Sequence, residues 1–159
     1  MRAIKSQAMP YLIDGHNLIP RVRGLNLQQL DDEQALIARL ETFFQSQRKQ
    51  AVVYFDQAQP GGSPDLKRAF LKVHFVRPPA IADTAILQHL RRLKGEARNW
   101  VVVSSDNEVR RGAEHLGARV LSSEEFAVLL NVKREKSKKR IEPSGDDIDF
   151  WLKQFQKPS

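Results

Sequence analysis

Four aspartates stand where apolar segments end or where a helix is expected to begin. Asp14 closes the apolar run YLID, Asp56 closes AVVYFD and Asp106 closes WVVVSSD, whereas Asp83 opens the helical pattern ADTAILQHLRRLK. Ligands of an open parallel sheet bind beyond the carboxyl ends of its strands. Carboxylates gathered there repel one another unless cations neutralise them. Oxygen-only clusters suit Mg²⁺ or Mn²⁺, which activate water against a phosphodiester and stabilise its leaving oxygen.

Each aspartate also has an ordinary structural explanation. Asp106 and Asp83 are both suited to cap the N-terminus of a helix. Asp14 precedes a glycine and is compatible with a simple turn, and Asp56 is compatible with the start of a polar loop. The set of four is harder to explain in this way, because three of its members terminate otherwise apolar strands.

The elements that must position these acids alternate along the chain. Short apolar runs predict strands, and the segments between them carry apolar residues at helical spacing. Strands that are apolar throughout, separated by amphipathic helices, predict an α/β domain whose mostly parallel sheet has helices on both faces. The predicted strands are 11–14, 51–56, 71–76, 100–106 and 118–122, and the predicted helices lie within 27–49, 82–94, 106–117 and 122–130. Residues 56–65, DQAQPGGSPD, predict a surface loop.

The length and composition fit one intracellular domain. The chain has 159 residues, a net charge of +7 and no cysteine, which excludes disulfides and zinc–thiolate sites. The N-terminus lacks the apolar region of a signal peptide, and no apolar run approaches the ~20 residues that span a bilayer. We therefore expect a cytoplasmic protein without membrane contact. The basic excess favours a phosphate-rich partner such as nucleic acid.

The C-terminal part differs in composition from the rest. Residues 133–140, KREKSKKR, form a basic run, and residues 141–156 predict an amphipathic helix whose apolar side is Ile148, Trp151, Leu152 and Phe155. We expect a main domain over 1–132, followed by a basic linker and this helix over 133–159. The helix either packs on its own domain or docks on a partner, a second copy of the chain included, and the oligomeric state stays open.

The order of the motifs resembles a known family. The segments YLIDGHNLI, VVYFD, ADTAI and VVVSSDNEVRRGAEHLGARVLSSEEF resemble the NYN branch of the PIN-like nucleases, close to the YacP-like group. The resemblance covers roughly residues 10–130. It implies a PIN-like three-layer sandwich with strand order 3-2-1-4-5 and a metal-dependent endoribonuclease activity.

The resemblance also implies an assignment of the site. The acidic centre would comprise Asp14, Asp83 and Asp106 with Asp56 close by, and all four are candidate ligands of Mg²⁺ or Mn²⁺. Asn17 would orient a ligand or a metal-bound water, and the Ser105 hydroxyl would support the same site. His16 replaces a frequent tyrosine of the family, and either fills that aromatic position or acts in acid–base chemistry.

One departure bears on activity. The family often carries an acid four residues after the aspartate of the Ala-Asp pair, where this chain has Leu87. The missing acid would weaken a second metal position.

Basic residues near the predicted edge of the sheet are candidates for holding RNA phosphates. Residues 133–140 would either reach over the site as a flexible arm or form a plain solvated linker. The candidates are Arg21, Arg23, Arg77, Arg110, Arg111, Lys133, Arg134, Lys136, Lys138, Lys139 and Arg140.

Three functions remain open from the sequence. The first is a Mg²⁺- or Mn²⁺-dependent endoribonuclease acting on single-stranded RNA. The second is an RNA- or ribosome-binding module of the same fold that has weak or no catalytic activity. The third, a small-molecule phosphohydrolase, is disfavoured because the sequence has no Gly-rich phosphate loop of the G-x-G-x-x-G type.

Overall fold

The computed structural model describes residues 9–22, 24, 32–56 and 65–138, with side chains up to residue 132. Its strands are β1 (Tyr11–Asp14), β2 (Ala51–Asp56), β3 (Leu66–Lys67), β4 (Leu71–Val76), β5 (Val101–Val103) and β6 (Arg119–Leu121). Its α-helices are α1 (Gly15–Leu18), α2 (Asp32–Gln47), α3 (Ala82–Leu93), α4 (Asn107–His115) and α5 (Ser123–Lys138). Short 3₁₀ helices cover Ile19–Arg21 and Lys94–Asn99.

The strands form one six-stranded sheet in the order β3-β4-β2-β1-β5-β6. All neighbours are parallel except β3 and β4, which are antiparallel. The five strands predicted from the sequence therefore adopt the predicted order 3-2-1-4-5. The short β3 adds an edge strand that the sequence did not reveal, because two residues are too few to show an apolar alternation.

Helices cover both faces of the sheet, which confirms the predicted PIN-like three-layer α/β architecture. On one face, strand residues such as Ile13, Val53 and Val73 pack with residues of α2 and α5. On the other face, Leu12, Val52 and Val102 pack with α3 and α4. This alternation follows from the two-residue period of a strand, and both sets are apolar because both faces are covered.

The chain turns sharply at the end of β1, where α1 begins at once. A Cβ atom on Gly15 would lie 2.3 Å from Cε1 of Phe55 on β2, so no larger residue fits beneath the phenylalanine ring. Residues 15–18 then form one helical turn, in which Leu18 is fully buried. The glycine therefore lets α1 start directly after β1 and pack against Phe55 of β2, so that Asp14 lies at the very end of its strand.

Two elements differ in length from their sequence predictions. Strand β5 ends at Val103, so Asp106 lies three residues beyond it and begins α4. Helix α5 continues through Lys138, whereas the apolar pattern predicted a helix only to residue 130. The backbone of residues 133–138 is therefore helical and continuous with the preceding residues. Residues 139–159, which include the predicted C-terminal helix, lie outside the described part of the chain.

No helix within the described residues is long and apolar enough to cross a membrane.

Candidate acidic site

Asp14 is a buried carboxylate at the carboxyl end of the central strand. Its side chain is only 5% exposed and accepts a hydrogen bond from the Ser104 hydroxyl at 3.3 Å. Burial, together with the nearby charges of Asp83 and Asp56, raises the pKa of Asp14 to about 7, although hydrogen bonds from the Asn17 backbone N–H and from Ser104 oppose the shift. A group with this pKa exchanges its proton near neutral pH, where most carboxylates are fully ionised.

Asp56 ends β2 and connects this strand to α3. Its Oδ1 accepts a hydrogen bond from the backbone N–H of Ala82 at 2.6 Å, so a carboxylate from β2 satisfies a free N–H at the start of α3. The residue that precedes this helix, Ile81, has no side chain that can do so. Asp56 thereby holds the first turn of α3, and with it Asp83, next to the end of β1.

Asp83 lies in the first turn of α3 and is electrostatically coupled to acids at the ends of β1 and β2 and at the start of α4. Burial and the charges of Asp106, Asp56 and Glu108 raise its pKa. Glu108 was not predicted as a site residue, because its position in the first turn of α4 is typical of an ordinary helix start. The structure therefore brings the four predicted aspartates together and adds Glu108 at the margin.

Asp106 is the N-cap of α4. Its Oδ1 accepts hydrogen bonds from the backbone N–H groups of Glu108 at 2.9 Å and Val109 at 3.1 Å. The Asp106 N–H in turn donates to the Ser104 hydroxyl oxygen at 3.1 Å. Capping and proximity to Asp83 are compatible roles, since the described caps use only one of the two carboxylate oxygens.

Ser104, and not Ser105, supplies the hydroxyl group that contacts Asp14. This fully buried side chain bridges Asp14 and the Asp106 backbone. The neighbouring Ser105 hydroxyl lies elsewhere: it accepts from the Ser123 N–H at 2.9 Å and donates to Glu124. Alternation along an extended segment sends adjacent side chains in opposite directions, and the sequence alone does not tell which of two serines faces the acids.

Asn17 connects three segments through its side-chain carbonyl oxygen. This atom accepts hydrogen bonds from the Ser105 N–H at 2.7 Å and from the Ser123 hydroxyl at 2.6 Å. Its backbone N–H also acts on Asp14 and lowers the pKa of that carboxyl group. Asn17 therefore joins the end of β1 to the loops that follow β5 and β6, and its carbonyl oxygen is already engaged by the protein.

His16 lies against Phe55 and Glu33. Its ring meets the Phe55 ring edge-on, with ring centroids 5.2 Å apart, and its Nε2 pairs with Glu33 Oε2 of α2. The aromatic contact agrees with the reading of His16 as the occupant of the family's aromatic position. The pairing with Glu33 links α1 to α2.

The predicted RNA-contacting arginines have different environments. Arg21 pairs with Glu124 at 3.0 Å, and the charge of Arg110 also acts on Glu124, whose pKa is lowered mainly by its bond with Ser105. Arg77 and Arg111 are exposed. Arg23, Lys139 and Arg140 lie outside the described residues. The C-terminal part of α5 contains Lys133, Arg134, Lys136 and Lys138, and the structure describes only the backbone of these residues.

The donor chemistry of the site fits a hard divalent cation, whereas the present side-chain positions do not form a closed set of ligands. Among the described residues, no group of three or more His, Asp or Glu side chains is arranged to hold a metal ion. The donors are nevertheless all carboxylate oxygens, and no basic side chain is among the principal influences on the pKa of Asp14 or Asp83. Mutual repulsion of this kind is relieved by a cation that draws the carboxylates together.

Leu87 occupies the position where the family often has a further acid. Its Cδ2 would lie 2.8 Å from a Cβ atom on Gly112, so the leucine packs directly on the backbone of α4. The side chain thus serves the contact between α3 and α4 instead of adding a carboxylate one turn after Asp83.

The fold and this edge of carboxylates define a class: a PIN-like α/β domain with an acidic centre at the carboxyl ends of its parallel strands. The chain belongs to the YacP-like NYN domain family, whose model matches residues 11–154. This family is nuclease-like, and its members generally use divalent metals.

Solved structures agree with this fold. The crystal structure of Rae1 (YacP) from Bacillus subtilis superposes with a TM-score of 0.66 at 19% sequence identity, covering 82% of this chain and 78% of that chain. A mutant of the same Bacillus subtilis protein gives a TM-score of 0.63 at 20% identity, with coverage of 93% and 92%. No protein of curated function matches the sequence significantly.

Proposed function

We propose that this protein is a metal-dependent endoribonuclease that hydrolyses phosphodiester bonds in single-stranded RNA at the acidic centre, defined as Asp14, Asp56, Asp83 and Asp106. The observation that carries the proposal is the buried Asp14, whose pKa is raised to about 7 beside Asp83 and Asp56. Carboxylates that are buried close together at the carboxyl ends of parallel strands repel one another, and a cation bound between them would remove this repulsion.

Asp14, Asp83 and Asp106 would hold a Mg²⁺ or Mn²⁺ ion, with Asp56 beside them. Such an ion activates water and stabilises the leaving oxygen of a phosphodiester. The residues of the chain position the centre: Asp56 fixes the start of α3, Ser104 orients Asp14 and Asp106, and Asn17 joins the loops around them. Arg21, Arg77, Arg110 and Arg111 would hold the phosphates on either side of the cleaved bond.

Calorimetric titration with Mn²⁺ tests the cation site independently of activity. Wild type should bind Mn²⁺, Asp14→Asn should lose most of the binding, and Glu114→Gln should retain it. Glu114 is a suitable control because it is an exposed acid near the C-terminal end of α4, whereas Asp106 caps the N-terminal end of this helix. A parallel assay with labelled single-stranded RNA should show cleavage by wild type and Glu114→Gln only. Cleavage by Asp14→Asn at the wild-type rate would refute the assignment.

A second candidate is an RNA- or ribosome-binding module with weak or no turnover. The packing of Leu87 on Gly112 favours it, because this contact stands where a further acid would complete the centre. The discriminating result is RNA binding without cleavage by wild type at saturating Mn²⁺. In that case Leu87→Glu, which supplies the carboxylate, should strengthen Mn²⁺ binding, and removal of residues 133–159 would reveal whether RNA binding depends on the basic tail.

A further inference from the structure

A cluster of basic and aromatic side chains lies on the face of the sheet that carries Asp14, beyond the acidic centre. We name it the β4–α3 basic face and define it as Lys67, Lys72, His74, His89 and Arg92. Strand β4 alternates between residues buried under α2 and residues that are exposed or half-buried on this opposite face, where Lys72 and His74 lie. On the neighbouring edge strand β3, Lys67 lies opposite Lys72 in the antiparallel register, so both side chains are on this face.

Tyr54 is the buried residue beneath this face, and its side chain contacts both histidines of the cluster. Its hydroxyl is 2.9 Å from His89 Nδ1 on α3, and its ring stacks on the His74 ring with centroids 5.1 Å apart. The charge of Arg92 also acts on the Tyr54 hydroxyl and opposes the rise in its pKa that burial causes. His89 packs in turn against Trp100, with ring centroids 5.1 Å apart. The His74 ring of β4 and the His89 ring of α3 are therefore both held by contacts with Tyr54.

The electrostatic potential of this face is positive. Burial, followed by the charges of Arg92, His74 and Lys72, lowers the pKa of His89, which means that a further positive charge is disfavoured there. Among the residues that the structure describes, one acid, Asp65, also faces the cluster: it bonds to His74 Nδ1 at 2.8 Å and accepts from the Phe75 N–H at 3.0 Å. Three described cations, Lys67, Lys72 and Arg92, outweigh this carboxylate.

The register of the sheet places this face beside the acidic centre. Asp14 pairs with Tyr54, and Tyr54 pairs with His74, so the three side chains lie at the same level and on the same face. Neighbouring strands are about 4.8 Å apart, so the backbones at His74 and Asp14 are separated by about 10 Å. Strand β4 then leads directly into the exposed Arg77 at the sheet edge.

We propose that the β4–α3 basic face binds the sugar-phosphate backbone of the single-stranded RNA whose neighbouring phosphodiester lies at the acidic centre. The proposal rests on the proposed function and adds a substrate path that runs across β4 towards Asp14. Charge complementarity identifies the occupant, because phosphates that lie about 10 Å from a cluster of carboxylates need cations of their own. Tyr54 is too deeply buried to stack on a base, so this subsite reads the backbone and not the sequence.

The test compares two charge reversals on opposite sides of the sheet from β1. Lys72→Glu lies on the proposed face, and Arg119→Glu lies on β6, where Arg119 is likewise exposed. Both change the net charge by the same amount. Binding of a labelled single-stranded RNA is measured by fluorescence anisotropy with EDTA present, at several salt concentrations. Lys72→Glu should weaken binding about five- to tenfold and reduce the slope of log K against log salt by about 0.7, whereas Arg119→Glu should leave the slope unchanged.

Lys67→Glu provides a second reversal on the proposed face if Lys72→Glu does not fold, and it should act in the same direction. Equal effects of the Lys67 or Lys72 reversal and the Arg119 reversal would overturn the subsite, whether or not wild type cleaves RNA. Conversely, RNA binding that depends on Lys72 in a protein that never cleaves would support the subsite and refute the proposed nuclease activity.

Discussion

The Ser104 hydroxyl donates a hydrogen bond to Asp14 Oδ2 and accepts one from the Asp106 backbone N–H, so one buried side chain ties the end of β1 to the start of α4. The two aspartates that it connects are far apart in the sequence, yet both are coupled to Asp83. The charge of Asp83 raises the pKa of Asp14, and the charge of Asp106 raises the pKa of Asp83. The arrangement of the acidic centre therefore depends on a small polar residue that carries no charge.

Replacement of Ser104 by alanine should raise the pKa of Asp14 further. In the wild type the Ser104 hydroxyl stabilises the ionised carboxylate by a hydrogen bond, and the variant lacks this bond. The variant should also lose about 1–3 kcal/mol of stability, since buried polar groups lose their partner. Carbon-detected NMR titration of the aspartate carboxyls measures the first effect. Ser46→Ala, which removes a hydroxyl bonded to the Phe43 carbonyl of α2, is the matched control. A pKa of Asp14 that does not move would contradict the assigned hydrogen bond.

The variant Asp14→Asn should be more stable than wild type at neutral and higher pH in the absence of divalent metal. The folded-state pKa of Asp14 is raised from 3.8 to about 7, so its favourable contribution is complete below pH 3.8 and is lost as the pH rises to about 7. The full shift corresponds to about 4 kcal/mol as an upper bound. Urea unfolding of both proteins between pH 4 and pH 8 measures the difference, which should vanish towards pH 4.

Asp65→Asn is the control of opposite sign. Although burial opposes it, bonding with His74 and the Phe75 N–H lowers the pKa of Asp65. Its stabilising contribution is present above the unfolded-state pKa and is lost as the pH falls through the lower folded-state pKa. Asp65→Asn should therefore destabilise the protein at neutral pH. A stabilising effect of both substitutions would show that the loss of any carboxylate, and not the environment of Asp14, is responsible.

Replacement of Gly15 by alanine should destabilise the fold and disturb the acidic centre together. The added Cβ would lie within 2.3 Å of the Phe55 ring, which is itself fully buried and stacked on Phe75. Overpacking of this kind costs about 1–3 kcal/mol. Gly95→Ala is the control, because a Cβ at Gly95 meets no atom within 4 Å. Denaturant unfolding measures both variants, and equal stability of the two would contradict the close approach of the start of α1 to Phe55.

Replacement of Asn17 by alanine should cost about 1–3 kcal/mol of stability, because it leaves the Ser105 N–H and the Ser123 hydroxyl without their common acceptor. Asn99→Ala removes an exposed side chain bonded only weakly to Glu96 at 3.3 Å, and should cost little. Thermal unfolding of the two variants provides the comparison. If Asn17→Ala has wild-type stability and impaired cleavage, the residue acts on substrate and not on the loops.

Much of the architecture was predictable because it is encoded locally. Strands β1, β2 and β4 match their predicted bounds, and the order of the five predicted strands is confirmed. The limits of β5 and α5 were not predictable to the same degree. In both cases a polar segment, SSD or KREKSK, follows apolar residues, and its conformation depends on capping and on helix continuation instead of burial.

The sequence by itself determined which acids stand at the ends of strands, because a run of apolar residues and the first charge after it are local properties. The tertiary structure alone decided what these acids touch. Ser104 and not Ser105 meets Asp14, Asp56 caps α3 from a neighbouring strand, and Glu108 joins the charges around Asp83. Such contacts join residues far apart in the chain, so they depend on strand register and helix packing, which a periodic pattern does not specify.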